Sequence, residues 1–342
     1  MRYRDAGVDI SAANRAKSEI KKLVSQTFNA QVLRGFGAFG GFFSLDRLPK
    51  DAVLVSSMDG VGTKLKIAFA ANRHAGVAAD LVYHSVNDIA VHGAQPLFFL
   101  DYLATGKIRG RILTEIVRGL AKACREVGCA LVGGETAQMP GFYAPNEYDL
   151  AGCIVGWVPR RQILDGRRIR PGDTILGLPS LGLHTNGYSL ARKALLEQAG
   201  LALSRPVPEL GRPLGEALLA PHRCYLPVVQ PLTQKGLVTG LVHVTGGGIT
   251  DNTPRILPKS CSAEIWLGSW PVPPLFDMIA RLGRVRQEEM LHTFNMGLGM
   301  LMVVPSRNLE KVAAGLKKQR EKFWVVGRIA RGKPEVRYVQ NR

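Results

Sequence analysis

The stretch AVLVSSMDGVGTKLKIAFAA (52–71) decides the fold. Its first six residues are apolar or β-branched for the most part and predict a buried strand over 52–57. DGVGTK (59–64) is a turn of small residues, and KIAFAA (66–71) has the character of a helix. Strand, small-residue turn and helix N-terminus together present backbone N–H groups to an anion, aided by the helix dipole. The unit recurs three times. GGET (133–136) follows the strand CALV (129–132), and GLHTNG (182–187) follows ILGLPS (175–180) and opens the helix YSLARKALL. TGGG (245–248) follows LVHV (241–244) and opens a short helix near Asp251. One such loop is ordinary in a mixed protein, whereas four point to a bound polyphosphate.

Working outward, Ala16, Ile20, Leu23 and Val24 share one face of a helix over 16–27. A strand follows at 97–103, then a helix carrying Leu113, Ile116, Val117, Leu120, Cys124 and Val127 and closed by Gly128. Further strands are read at 129–132 and 150–158. PRRQILDGRRIRPGD (159–173), charged and turn-rich, has the composition of a linker. Beyond it strands are expected at 174–178, 241–244, 263–267, 298–304, 323–328 and 336–339. Helices are expected at 188–198, 275–282 and 309–320. The Pro- and Gly-containing segment 204–221 reads as an extended excursion. The pattern is mixed α/β (α+β) in two domains, 1–165 and 170–340.

Composition excludes more than it selects. The 342 residues carry 45 Lys+Arg against 27 Asp+Glu, a net charge of +18. That balance favours anionic partners without choosing among nucleic acid, membrane and phosphorylated small molecules. The basic residues are dispersed and the aromatics fall in core-like strands, so a nucleic-acid-binding module is disfavoured. No signal peptide or apolar span is visible, and the five cysteines lack a C-x-x-C, so a reducing cytosol is expected and no membrane partner. The seven histidines include no H-x-x-x-H or H-x-H pair, which argues against a structural metal site.

The candidate residues each have two readings. Gly35, Gly37 and Gly40 match G-x-G-x-x-G formally, but no strand precedes them and no helix follows, so no dinucleotide fingerprint is read; no P-loop motif occurs either. Asp59, Asp88 and Glu135 sit beside Gly or Asn at the ends of apolar segments. They are either oxygen ligands for Mg²⁺ at a phosphate site or helix caps and turn residues. Lys64 either neutralises a phosphate or is an exposed helix lysine. His184 either donates to a developing oxyanion or is a hydrogen-bonded loop histidine. Lys21 and Lys22 read as a solvated helix face.

DGVGTK (59–64), VND with HGA following (86–94), FFLDYLATGK (98–107), VGGETAQMPG (132–141), GLHTNGYSL (182–190), TGGG (245–248) and TFNMGLGM (293–300) occur in order. Together they resemble the phosphoribosylformylglycinamidine cyclo-ligase (AIR synthetase) family, from YRDAGVDI (3–10) to about Val339. The resemblance implies conversion of formylglycinamidine ribonucleotide and ATP, with Mg²⁺, into aminoimidazole ribonucleotide, ADP and phosphate in purine biosynthesis. The amide oxygen is phosphorylated, the amidine nitrogen attacks that carbon, and phosphate leaves. It implies a homodimer whose N-terminal domains build a shared β-barrel, each with an outer C-terminal α/β sandwich domain. Asp59, Asp88 and Glu135 would hold Mg²⁺ and the ATP phosphates; Lys64 would touch phosphate, with Gly60, Gly62, Thr63, Gly133 and Gly134 lining the nucleotide site. Lys21 would belong to that site too. His184 and Asn186 would stand near the reacting centre, Gly246, Gly247 and Gly248 would close over it, and Gly35–Gly41 would form a loop over the nucleotide. Leu181 and Asp251 depart from the pattern, where a small residue and Glu are usual. Rivals within the superfamily fit less well: the first cysteine is Cys124, against a reactive N-terminal one in selenophosphate synthetases, and Asp59-Gly60 stands where thiamine-monophosphate kinases have paired Asp.

Overall fold

The computed structural model describes residues 10–35, 37 and 39–340. Residues 3–9 of the YRDAGVDI motif, Phe36 and Ala38 of the Gly35–Gly41 stretch, and the side chain of Ala16 lie outside the described residues. The chain divides into two compact units. One runs to Ile89 and from Ala94 to Arg160; the other comprises Ala90–Gly93 and the chain from Arg161 onward.

The first unit contains α1 (Ile10–Ser25), β1 (Val32–Arg34), β2 (Phe42–Phe43), β3 (Ala52–Gly60), α2 (Lys64–Ala71), α3 (Ala75–Ala90), β4 (Gln95–Thr105), α4 (Gly110–Glu126), β5 (Ala130–Gln138) and β6 (Tyr148–Pro159). Its main sheet has the order β3-β6-β4-β5, with only the β4/β5 pair parallel. Strand β6 alternates strictly between buried and half-buried residues, the period-2 pattern of a sheet with one covered face. The cover includes α3: a Cβ added at Gly152 of β6 would lie 2.2 Å from the Phe99 ring and 3.1 Å from Leu81 of that helix. Helix α4 buries Leu113, Ile116, Val117, Leu120 and Cys124, the stripe its spacing predicts.

Two expectations are corrected here. The 52–57 strand runs on to Gly60 and is not buried: Leu54 and Met58, on its outward face, are 53% and 69% exposed. GGET is no loop, because residues 133–136 lie inside β5, held by parallel pairing to β4. A close backbone approach explains its second glycine, since a Cβ at Gly134 would sit 2.4 Å from Asp101 Oδ1.

The second unit contains β7 (Thr174–Pro179), α5 (Tyr188–Arg192), β8 (Pro206–Val207), β9 (Arg212–Pro213), α6 (Leu214–Leu218), α7 (Leu226–Gln234), β10 (Gly240–His243), α8 (Gly248–Asn252), β11 (Cys261–Leu267), α9 (Pro274–Gly283), α10 (Gln287–Thr293), β12 (Leu298–Val304), α11 (Leu309–Lys318), β13 (Trp324–Arg331) and β14 (Val336–Gln340). Six strands form a sheet of order β10-β12-β7-β13-β11-β14, antiparallel except for β11/β14. All seven residues of β12 and all four of β10 are buried, so these strands are covered on both faces. The core gathers Ile175, Val242, Ile249, Ile265, Leu301, Val303, Val326 and Ile329. The helix expected over 188–198 is α-helical only to Arg192 and continues as a wider π-turn over Lys193–Gln198. The 204–221 excursion folds back as the β8/β9 hairpin and α6.

Candidate functional site

In the first unit, the end of β3 and one side of α3 bring together Asp59, His84 and Asp88. Asp59 Oδ2 lies 2.7 Å from His84 Nε2, and Asp88 Oδ2 lies 3.5 Å from the same nitrogen. Asp59 Oδ1 accepts the Gly60 amide at 2.8 Å, and the Ser57 hydroxyl donates to Asp88 Oδ2 at 3.2 Å. His84 is buried, whereas the Asp59 and Asp88 side chains stay 46% and 24% exposed, so the acid pair keeps an open side. Burial opposes a charge on His84, but the Asp59 hydrogen bond and the charges of Asp88, Asp59 and Asp80 outweigh it and raise its pKa above the ordinary 6.5. Burial likewise opposes ionisation of Asp59, yet the His84 hydrogen bond and charge and the Gly60 amide bring it below 3.8. The result is a histidine held between two carboxylates, with its charged form favoured. Sequence reasoning missed His84. Its spacing to Asp88 (i, i+4 on one helix face) is the signal that could have found it.

The other predicted residues of this unit scatter. Lys64 is fully buried with its Nζ 2.7 Å from Asp80 Oδ2, so its ammonium ties the start of α2 to α3 and it is not an exposed helix lysine. Beside it, Gly60, Gly62 and Thr63 form the turn into α2. Gly62 has φ +70° and open space where a side chain would stand, a conformation that favours glycine. Gly133 and Gly134 belong to β5, as described, and form no cradle. Glu135 is exposed and pairs with Tyr102 on the sheet's outward face. Asp59 and Glu135 therefore lie on opposite edge strands, about 14 Å apart by strand spacing, and point to opposite faces. One chain does not gather the three carboxylates. Lys21 is exposed on α1, whose Ile20 and Val24 are buried on the side that packs on α4.

In the second unit the loop after β7 and the loop after β10 meet. Asn186 Oδ1 lies 3.1 Å from where a Cβ on Gly246 would stand, so Gly246 is the residue that admits Asn186. Asn186 Nδ2 is buried and has no hydrogen-bond acceptor among the described residues, a donor left over for a ligand. Two asparagines hold the loops. Asn295 accepts from Ser180 Oγ at 3.0 Å and donates to Gly182 O at 2.9 Å. Asn252 accepts from Thr245 N at 3.0 Å and donates to Gly246 O at 2.8 Å. Gly247 and Gly248 take φ +93° and +59°, and a Cβ on Gly248 would strike Leu291 O at 2.0 Å. His184 adopts φ +61° and is wholly buried, its ring stacked 4.1 Å from His222. It faces protein, not solvent.

The chain matches two family models: AIR synthase related protein, N-terminal domain, over residues 30–158, and AIR synthase related protein, C-terminal domain, over 170–340. It is 50% identical over 334 residues to the phosphoribosylformylglycinamidine cyclo-ligase of Myxococcus xanthus, covering 97% of each chain. With the enzyme of that name from Trichlorobacter lovleyi it is 49% identical over 328 residues, 96% of this chain and 94% of the other. Among solved structures, a thiamine-monophosphate kinase from Stenotrophomonas maltophilia superposes with a TM-score of 0.68 at 19% identity, covering 93% and 94% of the two chains. The hydrogenase maturation protein HypE in complex with ATP gives 0.68 at 19% identity, covering 96% and 91%. At such identities these structures share the fold alone.

Proposed function

The chain belongs to the phosphoribosylformylglycinamidine cyclo-ligases of the AIR synthase related family, and on that premise we propose which of its residues do the work. It is a ligase of purine biosynthesis, closing the imidazole ring by converting formylglycinamidine ribonucleotide and ATP into aminoimidazole ribonucleotide, ADP and phosphate. The observation that carries this is the near-full-length match at about half identity.

Asp59 and Asp88 would hold Mg²⁺, since the ion takes oxygen ligands and commonly joins one or two carboxylates to substrate phosphates. When bound, the ion neutralises phosphate charge during transfer to the amide oxygen. His84 orients both carboxylates until then and favours the ionised form of Asp59. The Gly60–Thr63 turn at the start of α2 is the proposed phosphate contact, with Lys64 fixing that turn from behind through Asp80. Asn186 Nδ2 is the donor best placed to meet a substrate oxygen, and Gly246–Gly248 form the wall beside it. His184 sets the shape of that loop. We leave Glu135 out of the Mg²⁺ set, and Lys21 in the nucleotide site remains a proposal drawn from the resemblance.

A homodimer would bury the outward face of the β3-β6-β4-β5 sheet and close a barrel with its copy; the apolar residues exposed there, Leu54, Met58 and Leu100, support this reading. The cytosol is the proposed compartment, in keeping with five free thiols. The test is aminoimidazole ribonucleotide formation from formylglycinamidine ribonucleotide and ATP, with Mg²⁺ withdrawn and restored. Turnover should vanish and return with the ion. Protein that forms no product in its presence overturns the reading.

A further inference from the structure

We propose that His184, His222 and His243 of the second unit form a binding site for a borderline transition-metal dication of the Zn²⁺ or Co²⁺ type. The expectation from spacing was that no histidines pair up, and along the chain none do. The fold brings three together nonetheless, from the loop after β7, the segment between α6 and α7, and the last residue of β10. All three are buried, and one ring nitrogen from each lies within 4.8 Å of the others. His222 Nε2 and His243 Nε2 are 3.0 Å apart. Tetrahedral Zn–N bonds of about 2.0–2.1 Å place two ligand nitrogens about 3.4 Å apart, so a small opening of this contact admits an ion.

The surroundings aim the ligand atoms. Thr185 Oγ1 lies 3.4 Å from His222 Nδ1, which sets that ring with Nε2 toward His243. The Arg223 amide points at His184 Nε2 at 3.5 Å, so Nδ1 is the atom His184 would offer. Such outer contacts fix ring orientation in imidazole metal sites. The site is also sterically built: a Cβ on Gly299 of β12 would lie 2.4 Å from His184 Cε1 and 2.1 Å from Tyr225 Oη, so only glycine there leaves the ring its place. Tyr225 Oη is itself tied to Pro179 O at 2.8 Å.

The donor set selects the metal. Three imidazoles suit Zn²⁺, Co²⁺, Ni²⁺ or Cu²⁺ and are a poor donor set for Mg²⁺ or Ca²⁺, which want oxygen. Three protein ligands leave a fourth position for water or another small donor.

The experiment uses full-length protein stripped with a chelator and titrated with Co²⁺ in the absence of nucleotide and substrate, so that it stands apart from the cyclo-ligase reading. One Co²⁺ per chain should bind with the visible d–d bands of a four-coordinate centre, and Zn²⁺ should displace it. His222→Ala and His222→Gln should each weaken binding at least tenfold, whereas His292→Ala, at a half-buried histidine outside the cluster, should not. Absence of the bands, or equal affinity in the His222 variants, overturns the proposal. Should either variant fail to fold, Cu²⁺ bound to the unaltered protein decides: nitrogen hyperfine structure from several imidazoles supports the site, and an oxygen-ligand spectrum rejects it.

Discussion

The strands AVLVSSMDG (52–60) and LGMLMVV (298–304) look alike as sequence and end differently in the fold. In β12 every residue is buried, because chain covers both faces of the second unit's sheet. In β3 alternate residues stay open, and Leu54 and Met58 stand exposed on a face that also carries Leu100. The difference teaches that an apolar strand records how many faces will be covered, but not by which molecule. For β12 the cover is this chain. For β3 one face is covered by this chain, and in the proposed homodimer a second copy would cover the other.

The largest effect that bears on this contrast is Leu301→Ala. Leu301 is completely buried in β12, so truncation should cost about 2–5 kcal/mol of stability by lost transfer energy and a cavity. Leu54→Ala, on the half-exposed strand, should stay within about 0.5 kcal/mol in a monomeric state. Chemical denaturation of both variants at low protein concentration checks the pair. Equal losses would erase the distinction between the sheets.

Next comes Asp88→Asn, which separates site from scaffold. Loss of a metal-holding carboxylate should lower kcat/KM by about 10²-fold, equivalent to roughly 2.7 kcal/mol of transition-state stabilisation. The melting temperature should hardly move, because the Asp88 side chain is partly open to solvent. Full activity rejects the role. A melting loss as large as that of Leu301→Ala would instead place Asp88 in the scaffold.

Met58→Lys probes the open face directly. A charge at a position 69% exposed should leave the folded chain intact yet raise the dimer dissociation constant tenfold or more, about 1.4 kcal/mol. Sedimentation over a concentration series reads it. An unaltered protein that is monomeric throughout would remove the proposed second copy, and with it the explanation of Leu54 and Met58.

The sequence stated element identity well wherever one segment carried a whole period, as in α4 or β12. It failed where meaning lay in contacts between segments. Lys64 follows a glycine turn like a phosphate ligand, but Asp80, sixteen residues on, takes its charge into the interior. GGET imitates a binding loop, yet its second glycine, Gly134, serves the tight approach of β5 to Asp101. His184, His222 and His243 are separated by gaps no motif would flag, and only the fold makes them neighbours. His84 was legible through its helical spacing to Asp88, a clue that lay unused behind the more conspicuous acids. The ordered motifs carry the family together, since seven in register identify it whatever role each single residue has.

The smallest effect is the response of the first unit's stability to pH, and it distinguishes Asp101 of β4 from His84 of α3. Burial pushes the Asp101 carboxyl up to about 7 from an ordinary 3.8. The fold thus favours its neutral form: that contribution is full below about pH 3.8 and is lost as pH rises toward 7. His84 is raised above 6.5, so its contribution persists to near neutrality and is lost only as pH climbs through the raised value. Asp59, held below 3.8, acts in the opposite sense and withdraws its contribution only when pH falls below that point. Thermal melts should therefore show two successive alkaline losses. Asp101→Asn should flatten the one between pH 4 and 7, and His84→Gln the one above 6.5. If His84→Gln leaves the upper limb unchanged, the imidazolium is not clamped between Asp59 and Asp88, and the acid pair loses the group that orients it.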